Sequence, residues 1–305
     1  MELSLARVGA ARAVLIAGPT ASGKSAMALA LAEEAARGGR EAWIVNADAM
    51  QVYDALRILT ARPSPEDEAR FPHRLYGHVP AATRYSVGAW LVDMEAVLAE
   101  AEGQGALVIA VGGTGLYFKA LTEGIAAIPA IPAEVRRRWA ERLRDEGIAA
   151  LHAELAARDP ASAAVLRPND AQRVLRALEV LDATGAGLSE WQRRGRMAPL
   201  LPPGAALRLV LDAVRAGLYA RIDDRFDRMV GEGVADEVRA LLARNLDPHL
   251  PVMKAIGVRA FAAFLRGEIS LEDAVAQAKT ETRRYAKRQS TWLRNQMPDW
   301  PRGDP

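Results

Sequence analysis

The chain of 305 residues is long enough for one large domain or two, and its composition, 50% hydrophobic and 26% charged, is ordinary for a globular protein. It has no cysteine, which excludes disulfides, thiolate metal sites and cysteine nucleophiles and is compatible with a reducing cytoplasm. No apolar run approaches the ~20 residues that span a bilayer and no secretory leader is recognisable, so we expect a cytoplasmic protein without a membrane partner.

Apolar and helix-forming segments alternate along much of the chain. The predicted strands are residues 13–18, 41–48, 106–115 and 207–214. The predicted helices include residues 25–39, 86–105 and 271–295. This alternation predicts an α/β fold with a parallel sheet covered by helices on both faces, in which ligands collect at the carboxyl ends of the strands.

The segment 129–204 has a different character. It lacks strand patterns, its helical runs are rich in arginine, and proline-containing stretches flank it. We therefore predict an α/β core formed by residues 1–128 and 205–305, with residues 129–204 inserted as an all-helical domain.

A complete phosphate-loop pattern, G-x-x-x-x-G-K-S, follows the first predicted strand and opens the first predicted helix. Its residues are Gly18, Pro19, Thr20, Ala21, Ser22, Gly23, Lys24 and Ser25. The N–H groups of residues 20–25 are expected to point at phosphate oxygens, with Lys24 neutralising them and the Ser25 hydroxyl ligating Mg²⁺. An ordinary glycine-rich turn is the competing interpretation.

Asp48 ends the second predicted strand, where its carboxylate could act as a general base, hold Mg²⁺, or cap a turn. Gln51 could make a bidentate contact to an adenine edge or be a plain surface residue. The glycine turn at 112–115, with Thr114 as a polar group, could bring the backbone close to a ligand or serve only as a tight strand–helix turn.

Two groups of basic residues could contact nucleic-acid phosphates. Arg173 and Arg176 share one helical face, and Lys279, Arg283 and Lys287 recur every four residues along the last helix. Residues 279–305 hold seven Lys and Arg against three acids, although the formal net charge of the chain is only +2. A polyanionic partner and a solvated helix face both remain open.

Several of these stretches together resemble the tRNA dimethylallyltransferase family. They run from residue 18 to 295 and include GPTASGKS, DAMQVY, GGTGLYFKAL, PNDAQRVLRALEV, LYARIDDRFDRM and TRRYAKRQSTWLRN. The resemblance implies transfer of a dimethylallyl group from dimethylallyl diphosphate to the exocyclic amine of the adenosine on the 3′ side of the anticodon. It also implies Mg²⁺ as cofactor and the tRNA anticodon stem-loop as partner, and we expect a monomer.

The resemblance also implies roles for individual residues. Asp48 becomes the proton acceptor, while Thr20, Lys24, Ser25 and Arg221 serve the diphosphate and its Mg²⁺. The expected tRNA contacts, with the basic stripe of the last helix added from its spacing, are Asp48, Ala49, Met50, Gln51, Thr114, Arg136, Gln172, Arg173, Val174, Leu175, Arg176, Lys279, Arg283 and Lys287.

The chain departs from the family pattern at a few positions. Ala49 stands where the family usually has serine, Arg62 replaces lysine, and Arg74 replaces the second histidine of a pair. None of these falls in the phosphate loop or on Asp48. Two other functions remain as alternatives, a small-molecule or nucleotide kinase using ATP on the same loop, and an RNA-binding GTPase-like switch, for which no N-K-x-D segment is present.

Overall fold

The computed structural model describes residues 11–303 and contains a parallel β-sheet of six strands in the order β3-β2-β4-β1-β5-β6. The strands are β1 (Ala13–Ala17), β2 (Ala42–Asn46), β3 (His73–Arg74), β4 (Leu107–Gly112), β5 (Ala206–Leu211) and β6 (Arg302–Gly303). Strands β1, β2 and β4 are buried along their whole length, as expected when helices cover both faces of a parallel sheet.

Twelve α-helices lie between residues 11 and 303. In chain order they are α1 (Lys24–Arg37), α2 (Pro65–Arg70), α3 (Val87–Gln104), α4 (Gly115–Glu123), α5 (Ala133–Arg158), α6 (Pro160–Val165), α7 (Ala171–Thr184), α8 (Leu188–Arg193), α9 (Arg215–Gly231), α10 (Val234–Leu242), α11 (Val258–Leu265) and α12 (Leu271–Gln296). Four of them, α5 to α8, belong to the separate helical unit of residues 123–199. None of the helices between residues 11 and 303 is both long and apolar enough to cross a membrane.

The predicted α/β fold class is confirmed. All four predicted strands are present, each shorter than its apolar run because the run continues into the turn that follows. The sequence prediction missed β3 and β6, which have two residues each and pair with the two outer sides of the sheet. Strands this short carry no readable alternation of apolar and polar residues.

The chain divides into two compact units, one formed by residues up to 122 and from 200 onward, the other by residues 123–199. The boundaries predicted from the sequence were 129 and 204. The second unit is helical, and its own core includes Trp139, Leu155, Val174 and Leu178. Within it, α5 is interrupted at Gly147, whose φ of 79° no helical residue adopts.

Candidate active site

The phosphate loop connects β1 to α1 and is tightly wound. Gly23 (φ 87°) lies just before α1, and Ala21 adopts φ 60°, a left-handed conformation that costs a residue with a Cβ about 1–2 kcal/mol. At Gly18 a Cβ would lie 2.9 Å from the buried Ser22 hydroxyl and 3.0 Å from the Leu211 carbonyl oxygen, so glycine is needed there. The loop ends at the N-terminus of α1, where an anion is favoured.

Not all of the loop N–H groups are available to a phosphate. Thr20 donates its N–H to Oε1 of Gln289 at 2.9 Å, and Ser22 donates to the Pro19 carbonyl at 3.3 Å. The prediction that all six N–H groups from residue 20 to 25 face phosphate is therefore wrong for these two. The remaining four, on residues 21, 23, 24 and 25, have no acceptor among residues 11–303.

Lys24 is folded back over its own loop. Its Nζ donates to the Pro19 carbonyl oxygen at 2.6 Å and lies 3.5 Å from the Ser22 hydroxyl. Burial lowers the pKa of Lys24 to about 7, an effect that the negative charge of Asp48 opposes and the positive charge of Arg225 increases. A bound phosphate group would favour the charged form of Lys24 and offer it a stronger acceptor than a carbonyl.

Two arginines of α9 approach the loop. Arg221 donates through Nε to the Ala21 carbonyl at 2.8 Å, and Arg225 donates to the Thr20 hydroxyl at 3.3 Å. Burial lowers the pKa of Arg225, and among residues 11–303 neither guanidinium has a carboxylate within ion-pair distance. Sequence reasoning identified Arg221 by resemblance and missed Arg225, although its spacing of four residues from Arg221 places both on one face of the helix.

Asp48 stands just beyond the end of β2 in a fixed orientation. The buried Asn46 side chain accepts the Asp48 N–H at 2.8 Å and donates to the Asp48 carbonyl at 2.9 Å. Oδ1 of Asp48 accepts the N–H of Met50 at 2.9 Å. Oδ2 points toward the turn after β4, because a Cβ built on Gly113 would lie 3.4 Å from it. One carboxylate oxygen is thus held by the backbone while the other faces the strand ends.

The charge of Asp48 acts on several buried groups around it. Burial raises the pKa values of the Tyr76, Tyr117 and Tyr285 hydroxyls, and the Asp48 carboxylate raises them further. It also favours the charged form of Lys24. The phosphate-loop lysine and these three tyrosines therefore all lie within electrostatic range of the Asp48 carboxylate.

The glycines of the turn after β4 allow neighbouring segments to pack closely against it. A Cβ at Gly112 would overlap the Ala47 carbonyl, and one at Gly115 would overlap the ring of Trp292. Thr114 donates its N–H to the Ala47 carbonyl at 3.2 Å and accepts the Ala49 N–H at 2.9 Å. The turn therefore joins the ends of β2 and β4, and a tRNA contact by Thr114 stays a prediction.

Gln51 does not fit the bidentate adenine contact predicted for it. Its Nε2 donates to the carbonyls of Thr60 and Ala61 at 2.8 and 2.9 Å, which uses both amide hydrogens. Only Oε1 remains for a base edge. Gln51 instead fixes the loop between β2 and α2.

The basic stripe of α12 is partly neutralised within the protein. Lys279 pairs with Asp227 at 2.6 Å, and Arg283 pairs with Asp223 through two contacts of 2.8 and 2.9 Å. Both acids lie on α9, so these two cations stabilise the packing of α9 against α12. A tRNA phosphate would have to compete with these two ion pairs. The phosphate contacts of Lys279 and Arg283 stay predictions, as does that of the exposed Lys287.

The predicted tRNA-binding segment of α7 has an inner and an outer side. Val174 is fully buried in the core of the helical unit and Leu175 is partly buried against it, so both side chains face inward, and the tRNA contacts of these residues stay predictions. Arg173 is exposed and lies 3.4 Å from Asp170, while Arg176 is half-buried and 3.7 Å from Glu179. Burial lowers the pKa of Arg176, and only the polar side of α7 remains a candidate surface.

A family model described as IPP transferase matches residues 51–296. The tRNA dimethylallyltransferase of Rhodopseudomonas palustris (strain BisB18) is 58% identical over 95% of this chain and 90% of its own length. The solved structure of the tRNA isopentenylpyrophosphate transferase of Bacillus halodurans superposes with a TM-score of 0.65 at 32% identity, covering 96% of this chain and 89% of that one.

A eukaryotic dimethylallyltransferase, solved in states acting on tRNA, superposes with a TM-score of 0.74 at 28% identity. The similarity covers 92% of this chain and 69% of that one. With a family model over most of the chain and relatives above half identity along nearly their whole length, the protein belongs to the IPP transferase family.

Proposed function

We propose that this protein transfers a dimethylallyl group from dimethylallyl diphosphate to the exocyclic amine of the adenosine on the 3′ side of the tRNA anticodon, with release of diphosphate. The observation that carries the proposal is the pairing of a cation-lined phosphate loop with one oriented carboxylate, Asp48, in a member of the IPP transferase family. A diphosphate leaving group and a proton acceptor are the two parts that this reaction needs.

The loop side of the site suits the departure of diphosphate. As the allylic C–O bond breaks, positive charge spreads over the prenyl carbons and negative charge builds on the diphosphate. The free N–H groups of the loop face no acceptor among residues 11–303, and Lys24, Arg221 and Arg225 lie against the loop, where a bound diphosphate would offer them a stronger acceptor than their present oxygens. Donors held at the place where charge develops provide the largest single contribution in many enzymes.

The Asp48 side of the site suits the acceptor. The adenine amine is a weak nucleophile because its lone pair is delocalised into the ring, so its attack depends on the leaving group. The new N–C bond forms as the C–O bond breaks, and the amine proton passes to Oδ2 of Asp48, since Oδ1 is engaged by the Met50 N–H. The base must leave its loop stack to reach such a pocket, as in other base-modifying enzymes.

The residues present fit Mg²⁺ as a cofactor. Ser25 is exposed at the start of α1, and its hydroxyl is a hard oxygen donor of the kind that Mg²⁺ prefers. No cluster of three His, Asp or Glu that could enclose a metal exists among residues 11–303. This suits an ion that takes most of its ligands from water and substrate phosphates. When bound, Mg²⁺ would neutralise charge on the diphosphate.

The test is transfer of label from dimethylallyl diphosphate to unmodified bulk tRNA in the presence of Mg²⁺. We expect label in RNA and release of diphosphate. We also expect the prenyl donor to raise the melting temperature by mass action more than ATP does. Tighter binding of ATP with turnover to ADP, and no label in RNA, would replace this proposal with the kinase alternative.

A further inference from the structure

One buried amide on α12 connects the two halves of the site. Gln289 is only 6% exposed, its Oε1 accepts the Thr20 N–H at 2.9 Å, and its Nε2 donates to the Gly113 carbonyl at 2.9 Å. Thr20 lies in the loop after β1 and Gly113 in the turn after β4, and these strands are neighbours in the sheet. A single side chain therefore spans the gap between two strand ends.

We propose that Gln289 is a positioning residue, whose amide fixes the distance between the phosphate loop and the turn that faces Asp48. The inference rests on the proposed function, because the two parts that it holds are the diphosphate site and the proton acceptor. Gln289 acts through Thr20 and Gly113 and does not itself take part in the chemistry.

The surroundings of Gln289 show that the fit is close. A Cβ at Gly113 would overlap Nε2 of Gln289 and would lie 3.4 Å from Oδ2 of Asp48. The amide nitrogen and the carboxylate oxygen therefore lie on the same side of the turn. The overlap that a Cβ at Gly115 would make with Trp292 shows that α12 lies equally close one turn further on. Glycine in this turn lets Gln289 reach the Gly113 carbonyl.

The bridge matters because one end holds the phosphate loop and the other holds the turn beside Asp48. Thr20 begins the strained part of the loop, immediately before Ala21 with its positive φ. Without an acceptor for the Thr20 N–H, the loop is free to shift relative to Asp48. A misplacement of about 1 Å between reacting groups can cost about 10²-fold in rate. An apolar replacement would also leave two buried polar groups without partners.

The main variant is Gln289→Met, which keeps the length of the side chain and removes both hydrogen bonds. The matched control is Ser290→Ala on the same helix, since the Ser290 hydroxyl bonds only to the Ala286 carbonyl of its own helix. We expect kcat to fall about 10- to 100-fold in Gln289→Met, while the KM for tRNA stays within about twofold. Ser290→Ala should match the wild type.

A second readout does not depend on activity. Hydrogen exchange of the Thr20 amide, followed by NMR, should accelerate in Gln289→Met and stay slow in Ser290→Ala, because only the first variant removes its acceptor. If the wild type transfers no label to tRNA, the proposed function fails, and the exchange rate of Thr20 still decides whether the bridge exists in solution.

Gly113→Ala disturbs the same bridge through a Cβ that would overlap Nε2 of Gln289, while the Gln289 side chain is retained. This variant provides a second test if Gln289→Met does not fold. Its effect on kcat should resemble that of Gln289→Met, and the double variant should be no worse than either single one, as expected for residues acting together. Wild-type kcat in the folded Met variant, or a fully additive double variant, would overturn the proposal and leave Gln289 a packing residue.

Discussion

Two arginines beside the phosphate loop of the α/β core differ in their partners from two arginines of the helical unit. In the core, Arg221 and Arg225 donate to a carbonyl and a hydroxyl of the phosphate loop, and no carboxylate among residues 11–303 neutralises them. In the helical unit, Arg142 pairs with Glu146 and Glu154, and Arg158 pairs with Glu154 and Asp182. The guanidinium groups beside the loop are therefore without a carboxylate, whereas those of the helical unit are neutralised, and Arg158 also links α5 to α7 through Asp182.

This difference shows that the partner of a cation, more than its number or spacing, determines what it can bind. The arginine-rich helices of residues 123–199 look strongly basic in sequence, yet much of that charge is balanced locally by acids. The α12 stripe behaves in the same way, with Lys279 and Arg283 neutralised by α9. Unbalanced cations are found where two guanidinium groups and Lys24 meet the loop.

The largest effect is expected at Asp48. Asp48→Asn keeps the size of the side chain but cannot accept the amine proton, so catalysis should fall by about 10²–10⁴-fold. Donor affinity, measured by calorimetry with dimethylallyl diphosphate, should stay close to that of the wild type. Asp93→Asn is the control, since Asp93 pairs with His78 and Tyr85 elsewhere on the chain. Rescue of the rate by extra Mg²⁺ would instead make Asp48 a metal ligand.

Arg225 tests whether the arginines beside the phosphate loop, which have no carboxylate partner among residues 11–303, act on the prenyl donor. Arg225→Met removes a donor aimed at the loop, and we expect kcat/KM for the donor to fall by about 10²–10³-fold. Arg225→Lys should recover part of the loss. Arg37→Met, at the far end of α1 from the loop, is the control and should leave the donor kinetics unchanged. Equal donor kinetics in Arg225→Met and the wild type would show that Arg225 does not contribute to donor binding or catalysis.

Asp182 tests whether the ion pairs of the helical unit contribute to its stability. It accepts hydrogen bonds from Arg158, Arg138 and, at 2.9 Å, the Trp139 indole. Burial alone would raise its pKa, but these hydrogen bonds together hold the pKa below its usual value. Asp182→Asn should therefore reduce the free energy of unfolding by about 1–3 kcal/mol at neutral pH, measured by urea titration with circular dichroism.

The pH dependence of this effect follows from the depressed pKa. The stability that the Asp182 carboxylate contributes is fully present above its unfolded pKa of about 4 and is lost as the pH falls through the lower folded pKa. The difference between wild type and Asp182→Asn should shrink accordingly below about pH 4. Asp145→Asn, which breaks only the exposed pair with Arg144, should show no such change. A difference independent of pH would contradict the charge-based explanation.

The smallest expected effect concerns Arg173, whose side chain is 69% exposed. If it contacts a tRNA phosphate, Arg173→Gln should reduce the slope of log affinity against log salt by about one unit. The affinity for dimethylallyl diphosphate should not change. Arg37→Gln provides the comparison, since it removes an exposed cation from the core. An unchanged slope would show that Arg173 contacts no tRNA phosphate and is only a solvated residue of α7.

Local patterns in the sequence predicted much of the fold and part of the site. The phosphate loop, the strand that precedes it and the helix that follows it are contiguous, so their chemistry is readable from spacing. Asp48 was placed at a strand end by the apolar run before it. The stripe of α12 was read correctly as one helical face, but the ion pairs of Lys279 and Arg283 were not foreseen, because their acids lie on α9.

What the sequence by itself determined is the set of local structures: four strands, the phosphate loop, and the helical character of the inserted segment. Only the tertiary structure decided which polar groups were already satisfied. Gln51 and Gln289 look alike in sequence, yet one fixes a loop near β2 and the other bridges two strand ends. The reason is physical: a hydrogen-bond partner distant in the chain leaves no trace in local periodicity, so its identity becomes known only when the strands are brought side by side.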